Sequence, residues 1–274
     1  MRARAFQVDA FTDRLFAGNP AAVVLLDDWP RDDLLQDVAA ENNLSETAFL
    51  VRQVDAYELR WFTPTDEVDL CGHATLAAGF VVLGFLEGGR RDVAFHTRSG
   101  RLGVRREGRR YAMDFPALRS EPVPEERERT SVLDALGAER GEVLAAKDYL
   151  VVLGSEDDVR SLRPDFDALR RLDRRGVVAT AAADPGDDGD DLPAPDFVSR
   201  FFAPRVGVPE DPVTGSAHCA LAPYWSERLG RRRLVGRQVS RRGGTVHCED
   251  RGERVTLAGD AVLFLDGTVR IPTG

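Results

Sequence analysis

The chain alternates between strand-like and helix-like hydrophobic patterns. Short runs of apolar and β-branched residues, most of them bounded by turn signals, are typical of strands. Such runs lie at Ala5–Phe11, Ala21–Leu26, Glu46–Val51, Tyr57–Phe62, Asp92–His96, Gly100–Arg105 and Tyr111–Phe115. Residues Asp32–Asn42 instead carry apolar side chains three and four positions apart, which predicts an amphipathic helix. The mixture indicates an α+β fold.

The segment Gly72–Leu86 has no polar face beyond its first turn. A helix that is apolar all round belongs inside a core. We therefore expect a central buried helix here, with the neighbouring strands packed around it.

A short motif occurs twice and suggests an internal repeat. LRWFTP at Leu59–Pro64 is followed, eight residues after the proline, by Gly72; SRFFAP at Ser199–Pro204 is followed, eleven residues after its proline, by Gly215 and an apolar segment. We interpret the pair as two related domains. Chance similarity of a short motif is the alternative.

The predicted boundary between the domains is a charged, proline-bearing segment, Glu121–Arg129, which has the composition of a linker. The expected domains are residues 1–118 and 119–261. The last strand, about residues 262–274, is an optional addition to the first domain.

Composition excludes several classes of function. Of 274 residues, 43% are hydrophobic and 30% charged, as in soluble globular proteins, and the net charge of −9 argues against nucleic acid or an anionic membrane as partner. The longest charge-free apolar stretch has 13 residues, Ala74–Leu86, too short to span a bilayer, and Met1–Asp9 has no secretory h-region. We expect a cytoplasmic protein without membrane contact.

Cysteine and histidine spacing predicts neither disulfides nor a metal site. The three cysteines form no CxxC pair. Each lies beside or near a histidine, as in Cys71 and His73, but no ligand spacing of the usual metal motifs appears. The acidic segment Asp184–Asp191 is predicted to be a solvated loop. GxGxxG, Walker and GxSxG motifs are also absent from the sequence, so nucleotide binding and serine hydrolysis find no support.

Two glycines open the predicted buried helices, Gly72 and Gly215. The first N–H groups of a helix lack intrahelical partners and carry a partial positive charge, so each start is a plausible cradle for a carboxylate. The alternative is that both glycines only permit tight packing at a turn.

Groups that could transfer protons lie near those starts: Cys71, His73, Asp211 and Ser216. Glu46 comes from a separate segment between apolar stretches, so we expect it to be partly buried. A carboxylate shielded from water binds a proton more readily, which suits a general base at neutral pH.

Four segments resemble the PhzF family of phenazine-biosynthesis isomerases, which shares the diaminopimelate epimerase fold. They are Phe11 with Gly18-Asn19-Pro20, Asn43–Thr47, Cys71–Ala74 and Glu210–Ala217, in the family's order. The resemblance runs from about residue 5 to 265. It implies two similar domains, each a mostly antiparallel sheet rolled around a central helix, with the active site between them, and a homodimer.

The resemblance also implies a reaction and its residues. The family's type member isomerises trans-2,3-dihydro-3-hydroxyanthranilate without metal or cofactor. By position, Glu46 matches the proton-shuttling glutamate, and His73 and Asp211 match further catalytic polar residues. Ser216 and the backbone at Gly72 and Gly215 match groups that bind the substrate, a small carboxylic acid, and we expect the Asn19 loop to line the same pocket.

One position departs from related amino-acid racemases, which use two opposed cysteines. Here Cys71 occupies the first position and Thr214 the second. Threonine cannot act as a thiolate base, so two-cysteine racemisation is disfavoured. A non-catalytic protein that binds a small acid, or an epimerase of another carboxylic acid on the same fold, remains as the alternative.

Overall fold

A computed structural model describes residues 1–184 and 194–272, so residues 185–191 of the predicted acidic loop lie outside the described residues. The helices in these ranges are α1 (Asp32–Asn42), α2 (Gly72–Val81), α3 (Glu126–Leu136), α4 (Glu156–Ser161), α5 (Phe166–Arg170) and α6 (Gly215–Leu229). Helix α2 continues as a π-helical turn, Val82–Leu86. Among the described residues, no helix combines the length and apolar character that crossing a membrane requires.

The strands in the same ranges are β1 (Arg2–Ala10), β2 (Asn19–Leu26), β3 (Glu46–Arg52), β4 (Tyr57–Phe62), β5 (Glu67–Val68), β6 (Asp92–Thr97), β7 (Gly100–Glu107), β8 (Arg110–Pro116), β9 (Glu121–Pro122), β10 (Glu142–Ala145), β11 (Tyr149–Val152), β12 (Val177–Ala182), β13 (Phe197–Ala203), β14 (Val208–Asp211), β15 (Arg233–Gln238), β16 (Gly244–Asp250), β17 (Arg254–Gly259) and β18 (Ala261–Arg270).

The chain forms two compact units. The first comprises Met1–Asp114 together with the segment that begins at Ala258, and the second comprises Phe115–Leu257. The last strand, β18, pairs antiparallel with β1 along most of its length, which accounts for the return of the C-terminal segment to the first unit.

The strand pairings of the first unit recur in the second. In the first, β1–β2 is antiparallel, β2–β3 parallel, β3–β4 antiparallel and β4–β6 parallel. In the second, β10–β11, β11–β12, β12–β13 and β13–β15 follow the same order of directions. Both units are therefore mostly antiparallel sheets of one topology, and the fold class expected from the sequence is confirmed.

A buried helix lies at the centre of each unit. Helix α2 contacts β1, β2, β3, β7 and β18, and its residues from His73 to Gly79 are all buried. Helix α6 packs against β15 and β16, and its Trp225 stacks on Phe197 of β13 and donates to the Thr180 hydroxyl of β12. A helix without a polar face can be accommodated only by such enclosure.

The repeated sequence motif has a structural purpose. Arg60 of β4 forms two hydrogen bonds of 2.7 Å with the Glu67 carboxylate on β5. Arg200 of β13 does the same with Glu210 on β14, at 2.7 and 3.0 Å. Each guanidinium also lies over the phenylalanine two residues later, Phe62 or Phe202. The motif therefore fixes the strand return that precedes each buried helix.

The predicted linker Glu121–Arg129 is instead part of the second unit. It contains β9 and the first turn of α3. Its charges belong to the exposed face of an amphipathic helix whose other face buries Val132, Ala135 and Leu136. A charged helix face and a charged linker have the same composition, so the pattern did not distinguish them.

Arg200→Met should destabilise the protein by about 2–4 kcal/mol, because the variant leaves the largely buried Glu210 without its bidentate partner. Arg200 also donates to the carbonyls of Val159 and Leu162. The control is Arg233→Met, which breaks an exposed pair with Glu249 and should cost under about 1 kcal/mol. Urea unfolding measures both, and equal losses would contradict the role given to Arg200.

Candidate active site

Glu46 and His73 meet in the first unit. Glu46 is the first residue of β3 and His73 the second of α2, and Glu46 Oε2 lies 3.1 Å from His73 Nε2. The side chains are 17% and 5% exposed. Within the described chain neither atom has an aligned hydrogen-bond partner, although both are buried. Buried polar atoms are seldom left so, and this pair marks a place where a polar group of a ligand would be stabilised.

Chain geometry brings the two residues together. Helix α1 ends at Asn43, which adopts a left-handed conformation and reverses the chain toward β3. Parallel pairing of β2 with β3 then places Glu46 beside Ala21, so that both strands start at the same edge of the sheet. Helix α2 begins near this edge.

Asn19 holds the other side of the His73 ring. Its Nδ2 lies 3.2 Å from His73 Nδ1, and the Ser45 hydroxyl donates to its Oδ1 at 3.1 Å. Asn19 is fully buried. Gly18 before it has a φ of +66°, and a Cβ there would lie 2.2 Å from the Ala10 carbonyl oxygen, so only glycine fits. The side chain of Asn19 is thus engaged with protein groups on both ends.

The charges around His73 favour its protonated form. Burial lowers its pKa, but Cys71 and Glu46 as negative neighbours raise it more, and the result is a pKa well above 6.5. Burial, and then the charge of Glu46, raises the pKa of the Cys71 thiol above 9.0. Cys71 is therefore a neutral thiol at neutral pH, which leaves the Glu46 carboxylate as the anionic neighbour of His73.

Three side chains here could together ligate a metal ion. One ligand atom each from Glu46, Cys71 and His73 lie within 4.8 Å of one another. The sulfur of Cys71 is 3.5 Å from His73 Nδ1. Sequence spacing did not predict this set because Glu46 is distant along the chain.

The second unit places the other predicted residues around the start of α6. Asp211 ends β14 and is half-buried, and its Oδ2 accepts a hydrogen bond from the Thr214 hydroxyl. Thr214 is the N-cap of α6, as Cys71 is of α2. Gly215 is buried at the first helical position, and the hydroxyl of Ser216 at the second accepts a hydrogen bond from Arg175 at 2.9 Å.

Two residues of this cluster were not predicted from the sequence. Gln238, fully buried, accepts from the Thr214 backbone N–H at 2.9 Å and donates to the Asp211 carbonyl at 2.7 Å. Arg175 forms a bidentate ion pair with the buried Asp148 while it donates to Ser216. Arg175 lies in an arginine-rich run that looks like a solvated surface, and a single glutamine at a strand end carries no sequence signal.

The comparisons with known proteins agree with this fold. The family model described as phenazine biosynthesis-like protein, PhzC-PhzF, matches residues 8–267. An uncharacterized isomerase of Pseudomonas aeruginosa is 52% identical, over 97% of this chain and 98% of its own. The crystal structure of a PhzF family phenazine biosynthesis protein from Enterococcus faecalis is 42% identical with a TM-score of 0.91, covering 99% of this chain and 100% of that one.

A more distant likeness shows the fold alone. The structure of a hydroxyproline epimerase from Agrobacterium vitis is 10% identical with a TM-score of 0.58, covering 98% of this chain and 92% of that one. The two units and their polar helix starts define a protein of epimerase-like fold. The chain belongs to the PhzC-PhzF, phenazine biosynthesis-like family, and its relatives support an isomerase-type function.

Gln238→Met should destabilise the protein by about 2–4 kcal/mol, because the Thr214 N–H and the Asp211 carbonyl both lose the partner that Gln238 supplies. Hydrogen exchange at the Thr214 amide should accelerate selectively. The control is Gln36→Met, which removes one half-buried hydrogen bond to the Thr63 carbonyl and should cost about 1 kcal/mol or less. Unchanged Thr214 exchange in Gln238→Met would contradict this interpretation.

The two buried histidines should differ in charge at about pH 6. Burial lowers the pKa of His218 to about 4, whereas that of His73 is raised. Ring ¹⁵N shifts should therefore show a doubly protonated His73 and a neutral His218. A raised pKa means that His73 stabilises the fold fully below about pH 6.5, and that this contribution is lost as pH rises through its folded-state pKa.

Unfolding of wild type and His73→Gln, measured across this range, should give a difference that shrinks as pH rises. A difference that grows with pH, or a His73 ring that titrates together with His218, would show the charge assignment to be wrong.

Proposed function

We propose that this protein is an isomerase that moves a proton on a small carboxylic acid, with Glu46 as the acid/base. The observation that carries the proposal is the pair of buried atoms, Glu46 Oε2 and His73 Nε2, 3.1 Å apart and without an aligned hydrogen-bond partner among the described residues. A carboxylate held in this way is available to a substrate C–H group, and general base catalysis of this kind typically contributes ~10²–10⁴-fold in rate.

Protonated His73 gives the site its electrostatic balance. Its positive charge favours binding of an anionic substrate beside the Glu46 carboxylate, which would otherwise repel it. The backbone N–H groups at Gly72 add the positive end of a buried helix, a suitable place for the substrate carboxylate or for negative charge that develops when the proton leaves.

Glu46 then returns the proton to another carbon of the same conjugated system. Such a shift leaves the oxidation state of the molecule unchanged, so the proposal includes no cofactor. In the second unit, Asp211 is assigned to orienting substrate polar groups or relaying a proton, and Ser216 and Gly215 to substrate binding. The similarity to trans-2,3-dihydro-3-hydroxyanthranilate isomerase makes an acid of that kind the first candidate substrate. The homodimer implied by the resemblance stays a prediction.

Deuterium incorporation tests the proposal. Incubation of a panel of small carboxylic acids in D₂O, including trans-2,3-dihydro-3-hydroxyanthranilate, should give carbon-bound deuterium with wild type, detected by mass spectrometry or ¹H NMR. Glu46→Gln keeps the size of the side chain but cannot take up a proton, and should reduce incorporation by ~10²–10⁴-fold.

The matched control is Glu41→Gln, an exposed glutamate in α1, which should incorporate deuterium at the wild-type rate. Binding of the same acids, measured by calorimetry, separates the alternative of a non-catalytic acid-binding protein. If acids bind but wild type and Glu46→Gln incorporate deuterium equally slowly, the isomerase is excluded and the binder is left.

A further inference from the structure

The side chains of Glu46, Cys71 and His73 combine three donor types at one buried point: a carboxylate oxygen, a sulfur and an imidazole nitrogen. The individual residues would be unremarkable, since buried cysteines and histidines are common in cores. What sets this point apart is the pair of buried atoms, Glu46 Oε2 and His73 Nε2, that face each other without an aligned hydrogen bond in the described part of the molecule.

The spacing of these atoms suits a small tetrahedral cation. Zinc binds nitrogen and oxygen at about 2.0–2.2 Å, so two such ligands at a tetrahedral angle are about 3.3 Å apart. Glu46 Oε2 and His73 Nε2 are 3.1 Å apart. All three ligand atoms fall within 4.8 Å, so the Cys71 sulfur has to approach by about 1 Å to reach a Zn–S distance of about 2.3 Å.

We propose that Glu46, Cys71 and His73 form a binding site for Zn²⁺, and that the bound ion reversibly blocks the proton-transfer residues. On binding, the thiol of Cys71 releases its proton to solvent, and so does the imidazole nitrogen that becomes the ligand. Three protein–metal bonds form, and a water completes the tetrahedron. No electron transfer is involved.

Sulfur is what makes the site selective. Thiolate with imidazole and one carboxylate favours Zn²⁺ or Co²⁺ over Mg²⁺ or Ca²⁺, which prefer oxygen ligands. The binding claim stands on the geometry of the cluster. Only the inhibition claim rests on the proposed function, because it requires Glu46 and His73 to be the groups that the reaction uses.

Cobalt reports the site directly, without a substrate. Titration of the full-length protein with Co²⁺ should produce a thiolate-to-cobalt charge-transfer band and the intense visible bands of tetrahedral Co²⁺, and one equivalent of Zn²⁺ should abolish both. Cys71→Ser should remove the charge-transfer band and weaken Zn²⁺ binding by roughly 100-fold or more, since one of three protein ligands is lost. Cys219→Ala, which alters a buried cysteine elsewhere, should keep the band.

His73→Gln gives a second variant that keeps the thiol but loses the imidazole, and it should bind Co²⁺ weakly even if Cys71→Ser fails to fold. A charge-transfer band that survives in Cys71→Ser, or the lack of any such band in wild type, overturns the site. In a separate arm, Zn²⁺ should suppress deuterium incorporation and EDTA should restore it. Cobalt bands without any deuterium incorporation would leave the metal site intact and defeat the proposed function, and the reverse result would do the opposite.

Discussion

The architecture depends on the enclosure of two helices that have almost no polar side chains. Helix α2 is buried along its length, and α6 is buried through most of its own. Such helices gain their stability from removal of apolar surface from water, so the strands of each unit have to wrap them. The polar parts of each helix are then confined to its start, where the first backbone N–H groups need partners from outside the helix. Reactive side chains therefore collect at these two starts.

Strand direction decides which side chains reach the helix starts. The parallel pair β2–β3 places Asn19 and Glu46 at one edge, close to His73. The corresponding parallel pair of the second unit, β11–β12, is preceded by Asp148 and Arg175.

Arg175 reaches Ser216 on the second residue of α6, as Glu46 reaches His73 on the second residue of α2. The repeat thus preserves the placement of a polar contact while its chemistry differs. One unit holds a carboxylate–imidazole pair, and the other a hydroxyl held by an arginine whose charge is balanced by Asp148.

The sequence pattern predicted the elements that local periodicity determines. Helix Asp32–Asn42 and strand Tyr57–Phe62 have the predicted bounds, and the buried helix begins at Gly72 as expected. Exposed charge was ambiguous, which is why the first turn of α3 was interpreted as a linker. Of the site, Glu46 and His73 followed from residue type and resemblance. Gln238 and Arg175 did not, because their contacts depend on strand pairings between residues distant along the chain.

Thr214 explains how the second helix start differs chemically from the first. Its hydroxyl accepts a hydrogen bond from Gln238 Nε2 at 3.3 Å and donates one to the Asp211 carboxylate. The hydroxyl proton is therefore directed at Asp211, and the buried amide of Gln238 fixes that direction, since its Oε1 is occupied by the Thr214 N–H. A thiol at this position would form weaker hydrogen bonds and would offer a second sulfur for proton abstraction. With threonine there, the position orients a carboxylate, and Cys71 is left without a matching thiol at the equivalent N-cap, which is inconsistent with two-thiol racemisation.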